Sequence, residues 1–336
     1  MDTAALDYDL PASAIAQTPV EPRDAARLLV DTGPGSAPEH RHVRDLPELI
    51  QPGDLLVVNT TRVLPARLRL TKSTGGAVEV LLLEPVEGAT WEALVRPSRK
   101  LPPGTTLVAG DDLTVRIDDD LGQGRRRVEL LLAAGTEVLD ALERHGEVPL
   151  PPYITTSLTD PERYQTTYAD RPGSVAAPTA GLHITPGLLE RARAAGAEIA
   201  PVELVVGLGT FRPIAAATVE EHQMHAERYR IPPATMDACQ RAERVVAVGT
   251  TSVRALESAA ATGVLEGSTR LFIHGDEPFA LVGALMTNFH QPRSSLLALV
   301  DAFVGPRWRA LYDLALAEGY RFLSFGDAMF LRRERG

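Results

Sequence analysis

Between about Pro65 and Pro149 the chain abandons helical spacing. RLRL, AVEVLLLEPV, TWEALVRPS, LTVRIDDD and RRRVELLL alternate apolar with other residues and are cut apart by Gly, Pro and Asp turns. Side chains on a strand point alternately to opposite faces, so short alternating runs at this spacing predict a small all-β unit, a barrel. The sequence on either side reads differently. GDLLVVN, Gly53 to Asn59, predicts a turn and a buried strand at Leu55–Val58, with Asn59, Thr60, Thr61 and Arg62 in a polar loop at its carboxyl end. After Pro152, LLERARAAGAEIAPVELVVGLG predicts helix, turn and strand, and ATMDACQRAERVVAVGTTSVRALESAAATG predicts helix, strand and helix. The expected architecture is therefore α/β, with a mixed or mostly parallel sheet and helices in residues 1–64 and 155–336, interrupted by a small β-barrel in residues 65–154.

The chain has 336 residues, 44% hydrophobic and 23% charged, enough for two soluble domains. The balance of 34 basic against 44 acidic residues, −10 overall, argues against wholesale coating of nucleic acid or an anionic membrane but permits one local basic groove. The single cysteine, Cys239, forms no internal disulfide and predicts a buried small hydrophobe in a reducing compartment. The first 30 residues carry five acidic residues and no apolar run of signal-peptide length, and no later run approaches the roughly 18 apolar residues of a membrane span, so a cytoplasmic location is expected. The chain is also expected to be a monomer.

Several polar segments interrupt the strands and helices. GSVAAPTAGLHIT, Gly173 to Thr185, combines small residues that admit close backbone approach with Thr179, His183 and Thr185. Thr185 followed by Pro186 also fits a helix cap and first helical position. VGTTS places Gly249, Thr250, Thr251 and Ser252 between a strand and a helix N-terminus, where amides and the dipole favour an anion; N-capping by the same hydroxyls is the competing account. VVGLGTFRPI matches only the first half of a dinucleotide fingerprint, since Arg212 and Pro213 replace the third glycine and the helix, and no Rossmann site is expected. In EEHQMHAERYRI, His222 and His225 would share a helical face, or His225 and Glu227 a strand face; a metal site lacks a third ligand at a recognised spacing, so no metal is expected. TNFHQPRSSLL sets Asn288 and His290 in a polar break, and SFGDAMF surrounds Asp327 with apolar residues, which demands a partner, expected to be Arg254 or another guanidinium.

In order along the chain, YDLP, AQTPVEPRDAARLLV, NTTRVLPARL, YQTTYA, GSVAAPTAGLHIT, GLGTFRPI, HQMHAE, VAVGTTSVRALES, TNFHQP and SFGDAMF resemble the S-adenosylmethionine:tRNA ribosyltransferase-isomerase family of queuosine biosynthesis. The resemblance spans Tyr8 to Phe330, essentially the whole chain, and implies an α/β domain carrying an inserted β-barrel. It implies transfer and isomerisation of the ribosyl part of S-adenosylmethionine onto 7-aminomethyl-7-deazaguanine at the tRNA wobble position, giving epoxyqueuosine, adenine and methionine. S-adenosylmethionine is then a consumed co-substrate, with no permanently bound cofactor and no metal. The sulfonium acidifies the neighbouring 5′ protons and the departing adenine must be protonated, so His183, His225, Glu227 and His290 form an expected acid/base pool. Arg23, Asp24, Asn59, Thr61, Arg62, Thr179, Thr250, Thr251, Ser252, Arg254, Asn288 and Asp327 are the expected substrate ligands. Arg96, Arg99 and Lys100 are the expected phosphate contacts for the anticodon region, with a solvated charged turn as the competing account; Arg125–Arg127 form a second basic patch for which the solvated turn is the better account. The chain departs from the family pattern at Ile184 (usually Phe), Gln291 (usually Leu) and Gly275-Asp276-Glu277 (usually Pro-Gly-Tyr). Two rival readings predict other behaviour: a metal-dependent hydrolase built on His222, His225 and a carboxylate would copurify with zinc or manganese, and a non-catalytic RNA-binding protein would bind tRNA but release no adenine.

Overall fold

The computed structural model describes residues 1–72, 74–207 and 213–333. The described chain divides into two compact units: Met1–Arg62 with Pro151–Arg171 and Ala177 onward, and Val63–Leu150 with Pro172–Ala176. The sequence reading put the insertion at 65–154 and did not anticipate that Pro172–Ala176 groups with it.

The larger unit is built on a nine-stranded mixed sheet. Its spatial order is Glu266–Thr269, Glu227–Arg230, Glu198–Leu204, Asp54–Asn59, Arg244–Val248, Val282–Asn288, Ala328–Arg332, Arg27–Val30 and Glu39–His42. The four strands from Glu198–Leu204 to Val282–Asn288 are mutually parallel, and antiparallel strands close both flanks. Central strands are covered on both faces, so they read as continuous apolar runs such as LLVV and RVVAV rather than as alternation. On one face Leu56, Val58, Val246, Val248, Ala284 and Met286 pack against Leu188 and Leu189 of the helix Pro186–Ala194. On the sheet also lies the helix Thr250–Thr262, against the strands Glu198–Leu204, Arg244–Val248 and Val282–Asn288. Cys239 is buried in the helix Pro233–Arg241. Among the described residues no helix is long and apolar enough to cross a membrane.

The smaller unit is a closed six-stranded antiparallel barrel, in the order Arg67–Thr71, Ala77–Glu87, Thr90–Arg96, Arg125–Leu132, Leu113–Gly122 and Thr106–Gly110, closed by Thr71 opposite Val108. Alternation does its work here: Leu68, Val80, Ala93, Val95, Val115, Ile117, Val128 and Leu130 are buried, while Arg69, Arg96 and Arg127 between them are exposed.

Candidate active site

Parallel α/β sheets bind ligands beyond the carboxyl ends of their strands, where loops diverge and helix N-termini begin. Two such ends lie side by side here, because Val248 pairs with Met286 in the parallel register. Beyond Val248 the chain turns through Gly249, at φ +86°, a conformation that favours glycine, and enters the helix Thr250–Thr262. The Gly249 amide donates to Met286 O at 2.8 Å and Ser252 Oγ donates to Val248 O at 2.8 Å, which fixes the turn. Beyond Asn288 come Phe289 and His290, then the helix Ser295–Val304, capped by Ser294 Oγ accepting from Leu297 N at 3.1 Å. A 3₁₀ turn, Thr179–His183, lies against the strand Val282–Asn288.

Asn288 ties these segments together. Its Oδ1 accepts from Thr179 Oγ1 at 2.9 Å, and its Nδ2 donates to His183 Nε2 at 3.2 Å and to Asp327 O at 3.3 Å. An amide donor facing Nε2 assigns His183 the tautomer with its proton on Nδ1. His290 Nε2 is 2.8 Å from Thr287 Oγ1. Its main chain is held by two tyrosines: Tyr8 Oη donates to His290 O at 2.5 Å, and Tyr312 Oη accepts from His290 N at 2.9 Å. Tyr8 and Tyr312 meet edge-on, 5.1 Å between ring centroids, and Phe289 stacks on Phe322. Burial pushes the His183 imidazole down to about 4, with the Arg321, Arg163 and Arg23 guanidiniums adding to the shift, and burial alone pushes His290 down to about 3. Both rings are neutral at pH 7.

Thr179, Asn288 and His290 form a wall common to two clefts. One is completed by Gly249, Thr250 and Thr251, the other by Tyr153, Ser294 and Ser324. Gln291, one departure from the family pattern, faces the second cleft; Ile184 is in the core, and Asp276 and Glu277 lie exposed beyond both. His183 borders a separate small cavity with Arg23, Arg163 and Ser324.

The other expected ligands are occupied elsewhere. Among the described residues neither Arg254 nor another guanidinium pairs with Asp327, which corrects the expected partner. Asp327 accepts from the main-chain amides of Arg27 at 2.9 Å and Arg321 at 2.8 Å, so backbone donors satisfy this buried carboxylate. Arg254 forms a buried ion pair with Glu227, whose Oε1 also accepts from Gly207 N at 3.1 Å. Glu227 begins a strand, whereas His225 lies exposed in irregular chain ahead of it, so the two share neither a helix nor a strand face. Among the described residues no three His, Cys, Asp or Glu side chains converge as metal ligands. Arg23 spends its guanidinium on the carbonyls of Gln165, Leu182 and Glu162, Asp24 faces Arg191 at 3.8 Å, and Arg62 pairs with Glu162 at 2.5 Å. Asn59 and Thr61 bond to Leu204 of the neighbouring strand, and Thr61 continues into a short strand rather than a loop. Gly181 is small for a packing reason: a Cβ there would strike Tyr168 Oη. Thr185 caps the helix Pro186–Ala194 by accepting from Leu188 N at 3.1 Å. In the barrel, Arg96, Arg99 and Lys100 are exposed and form no ion pair with a described carboxylate, while Arg125, Arg126 and Arg127 each face an acidic partner. The glycine run Gly207–Gly209 extends into 208–212, outside the described residues.

Sequence reasoning missed Tyr153, Ser294, Thr287 and Ser324. Ser324 and Thr287 stood inside quoted motifs, and Ser294 carried the signal of a hydroxyl ahead of an apolar helix; Tyr153 carried none.

A family model described as queuosine biosynthesis protein matches residues 3–331. An S-adenosylmethionine:tRNA ribosyltransferase-isomerase of Rubrobacter xylanophilus is 51% identical over 332 residues, 98% of each chain. One of Thermus thermophilus is 53% identical over 350 residues, covering 97% of this chain and 98% of its own. The crystal structure of S-adenosylmethionine tRNA ribosyltransferase from Thermotoga maritima, 36% identical, covers 97% of this chain and 99% of that one, with a TM-score of 0.55. The chain belongs to the queuosine-biosynthesis family of S-adenosylmethionine:tRNA ribosyltransferase-isomerases.

Proposed function

We propose that this enzyme transfers and isomerises the ribosyl moiety of S-adenosylmethionine onto 7-aminomethyl-7-deazaguanine at the tRNA wobble position, giving epoxyqueuosine, adenine and methionine. The observation that carries the reading to a site is the wall of Thr179, Asn288 and His290 at the strand ends, polar yet without an ionised side chain. Such a wall suits a substrate whose own sulfonium supplies the activation. The sulfonium acidifies C5′ and a neutral imidazole takes one of its protons; the aminomethyl nitrogen, giving up a proton to solvent, bonds to C1′ as the C1′–adenine bond breaks, C5′ bonds to C1′ as the ring oxygen leaves C1′, and that oxygen closes the epoxide on C5′ as the C5′–S bond breaks. Adenine departs with the proton taken from C5′, and methionine departs as a thioether carrying the electron pair of the broken C–S bond. A buried ring held near 3 or 4 is a weak base that surrenders its proton readily, which fits a relay from C5′ to adenine. His183 and His290 are the acid/base pair in this reading; exposed His225 and ion-paired Glu227 leave the pool. Arg96, Arg99 and Lys100 contact tRNA phosphates, and no metal takes part.

Incubation with S-adenosylmethionine and tRNA carrying 7-aminomethyl-7-deazaguanine, followed by mass spectrometry of digested nucleosides, tests the reading. It expects epoxyqueuosine with one adenine per modified tRNA and no added metal. Intact S-adenosylmethionine with unmodified tRNA, from folded protein, overturns it.

A further inference from the structure

The helix after Gly249 opens with three hydroxyl residues, and their situations differ. Ser252 Oγ is committed to Val248 O at 2.8 Å, which removes it from the expected ligands. Thr251 is 8% exposed and lines the first cleft, yet its buried Oγ1 has no hydrogen-bond partner among the described residues. A buried hydroxyl left unpaired is destabilising, so its placement here marks a position that a ligand atom completes. The adjacent amides point the same way. Those of Thr250 and Thr251 open a 13-residue helix and have no preceding helical carbonyl, while the amides of Ser252 and Val253 turn back to Gly249 O. Among the described residues no Lys, Arg, Asp or Glu lines this cleft, so none of them opposes the helix dipole there.

S-adenosylmethionine carries a single negative group. Its sulfonium and ammonium are repelled by a helix N-terminus, and its ribose and adenine are neutral. We propose that the N-terminus of the helix Thr250–Thr262, with the Thr251 hydroxyl as its side-chain donor, holds the carboxylate of the methionine half of S-adenosylmethionine. This rests on the function proposed above. Seating the methionine end at Thr250 and Thr251 directs the ribose toward Thr179, Asn288 and His290, which line the same cleft. Selection then falls on amino-acid-bearing sulfonium compounds.

The test is a cycle of protein and ligand changes, read by titration calorimetry with saturating tRNA that lacks the aminomethyl acceptor, so that no turnover intervenes. S-adenosylmethionine and decarboxylated S-adenosylmethionine are titrated into the unsubstituted protein, Thr251→Val and Thr251→Ser. The unsubstituted protein should prefer the carboxylate form by about a hundredfold, and Thr251→Val should shrink that preference about tenfold or more, with Thr251→Ser restoring most of it. Thr251→Val should melt no lower than the unsubstituted protein, since it removes an unpaired hydroxyl. Equal weakening of both ligands would overturn the assignment by placing the hydroxyl on a part they share, as would unchanged preference or no binding of either to the unsubstituted protein. Failure of the functional reading looks different: carboxylate-dependent binding intact, but no adenine released with the aminomethylated tRNA.

Discussion

Replacing Glu227 by glutamine keeps the side chain's shape and removes its charge, leaving the Arg254 guanidinium without its counter-ion at a position 4% exposed. Burial already pushes Arg254 down to about 10, so it stays charged at pH 7 and the loss is electrostatic. Breaking one side of a buried pair costs about 3–5 kcal/mol. In a domain of this size each kcal/mol lowers the melting temperature by about 2–4 °C, so Glu227→Gln should melt roughly 6–20 °C lower by calorimetry. The double variant Glu227→Leu/Arg254→Met should recover much of that loss, because neither charge then remains buried. Adenine release by folded Glu227→Gln at low temperature should fall no more than about tenfold, through the Glu227 contact to Gly207, against the 10²–10⁴ of a proton-transfer group. An unchanged melting temperature with turnover lost a thousandfold would refute the reasoning and return Glu227 to the acid/base pool.

His183 and His290 make stability fall on acidification. Their folded values, about 4 and about 3, lie below the ordinary imidazole range, so between about pH 6.5 and 4 the unfolded chain binds protons that the folded one refuses. The penalty is absent above that window, grows within it by up to about 1.4 kcal/mol per pH unit for each ring and levels off below the folded values, which urea midpoints at pH 7 and pH 5 measure against His183→Gln and His290→Gln. By the same shifts, turnover should show no histidine titration between pH 5.5 and 8. Asp327→Asn should lower stability by about 1.5–3 kcal/mol in urea unfolding, since a carboxylate that accepts two main-chain amides is replaced by a group with one acceptor. Charge reversal at Arg99 and Lys100 should weaken tRNA binding and flatten its log–log salt dependence by about 0.7–0.9 per lost phosphate contact; unchanged affinity would remove the barrel patch from the interface.

Local pattern carried the elements well. The apolar run after Arg244, the glycine and three hydroxyls, and the helical spacing to Thr262 are all set within a few residues of one another, and the strand, turn and helix lie where that pattern puts them. The barrel's alternation is equally local. What was not legible depends on distant chain. Asp327 finds its donors at Arg27 and Arg321 rather than Arg254, because the strand Ala328–Arg332 lies parallel to Arg27–Val30, a pairing no spacing rule encodes. Asn59 looks like an exposed strand-end ligand, yet hydrogen bonds to Leu204 consume both ends of its amide. His290 owes its position to Tyr8 and Tyr312, one near each end of the chain. His225 and Glu227 were paired on the assumption of regular backbone, which begins only at Glu227.

The central claim is that the ribosyl chemistry takes place against the strand-end wall and uses two buried histidines, His290 on that wall and His183 hydrogen-bonded to its Asn288. Single-turnover adenine release, with saturating S-adenosylmethionine and aminomethylated tRNA, tests it most directly when the unsubstituted protein is compared with His183→Gln and His290→Gln of verified fold. The account predicts a fall of about a hundredfold or more for at least one of the two. Release at the unsubstituted rate by both would contradict it and move the proton transfers to another part of the molecule.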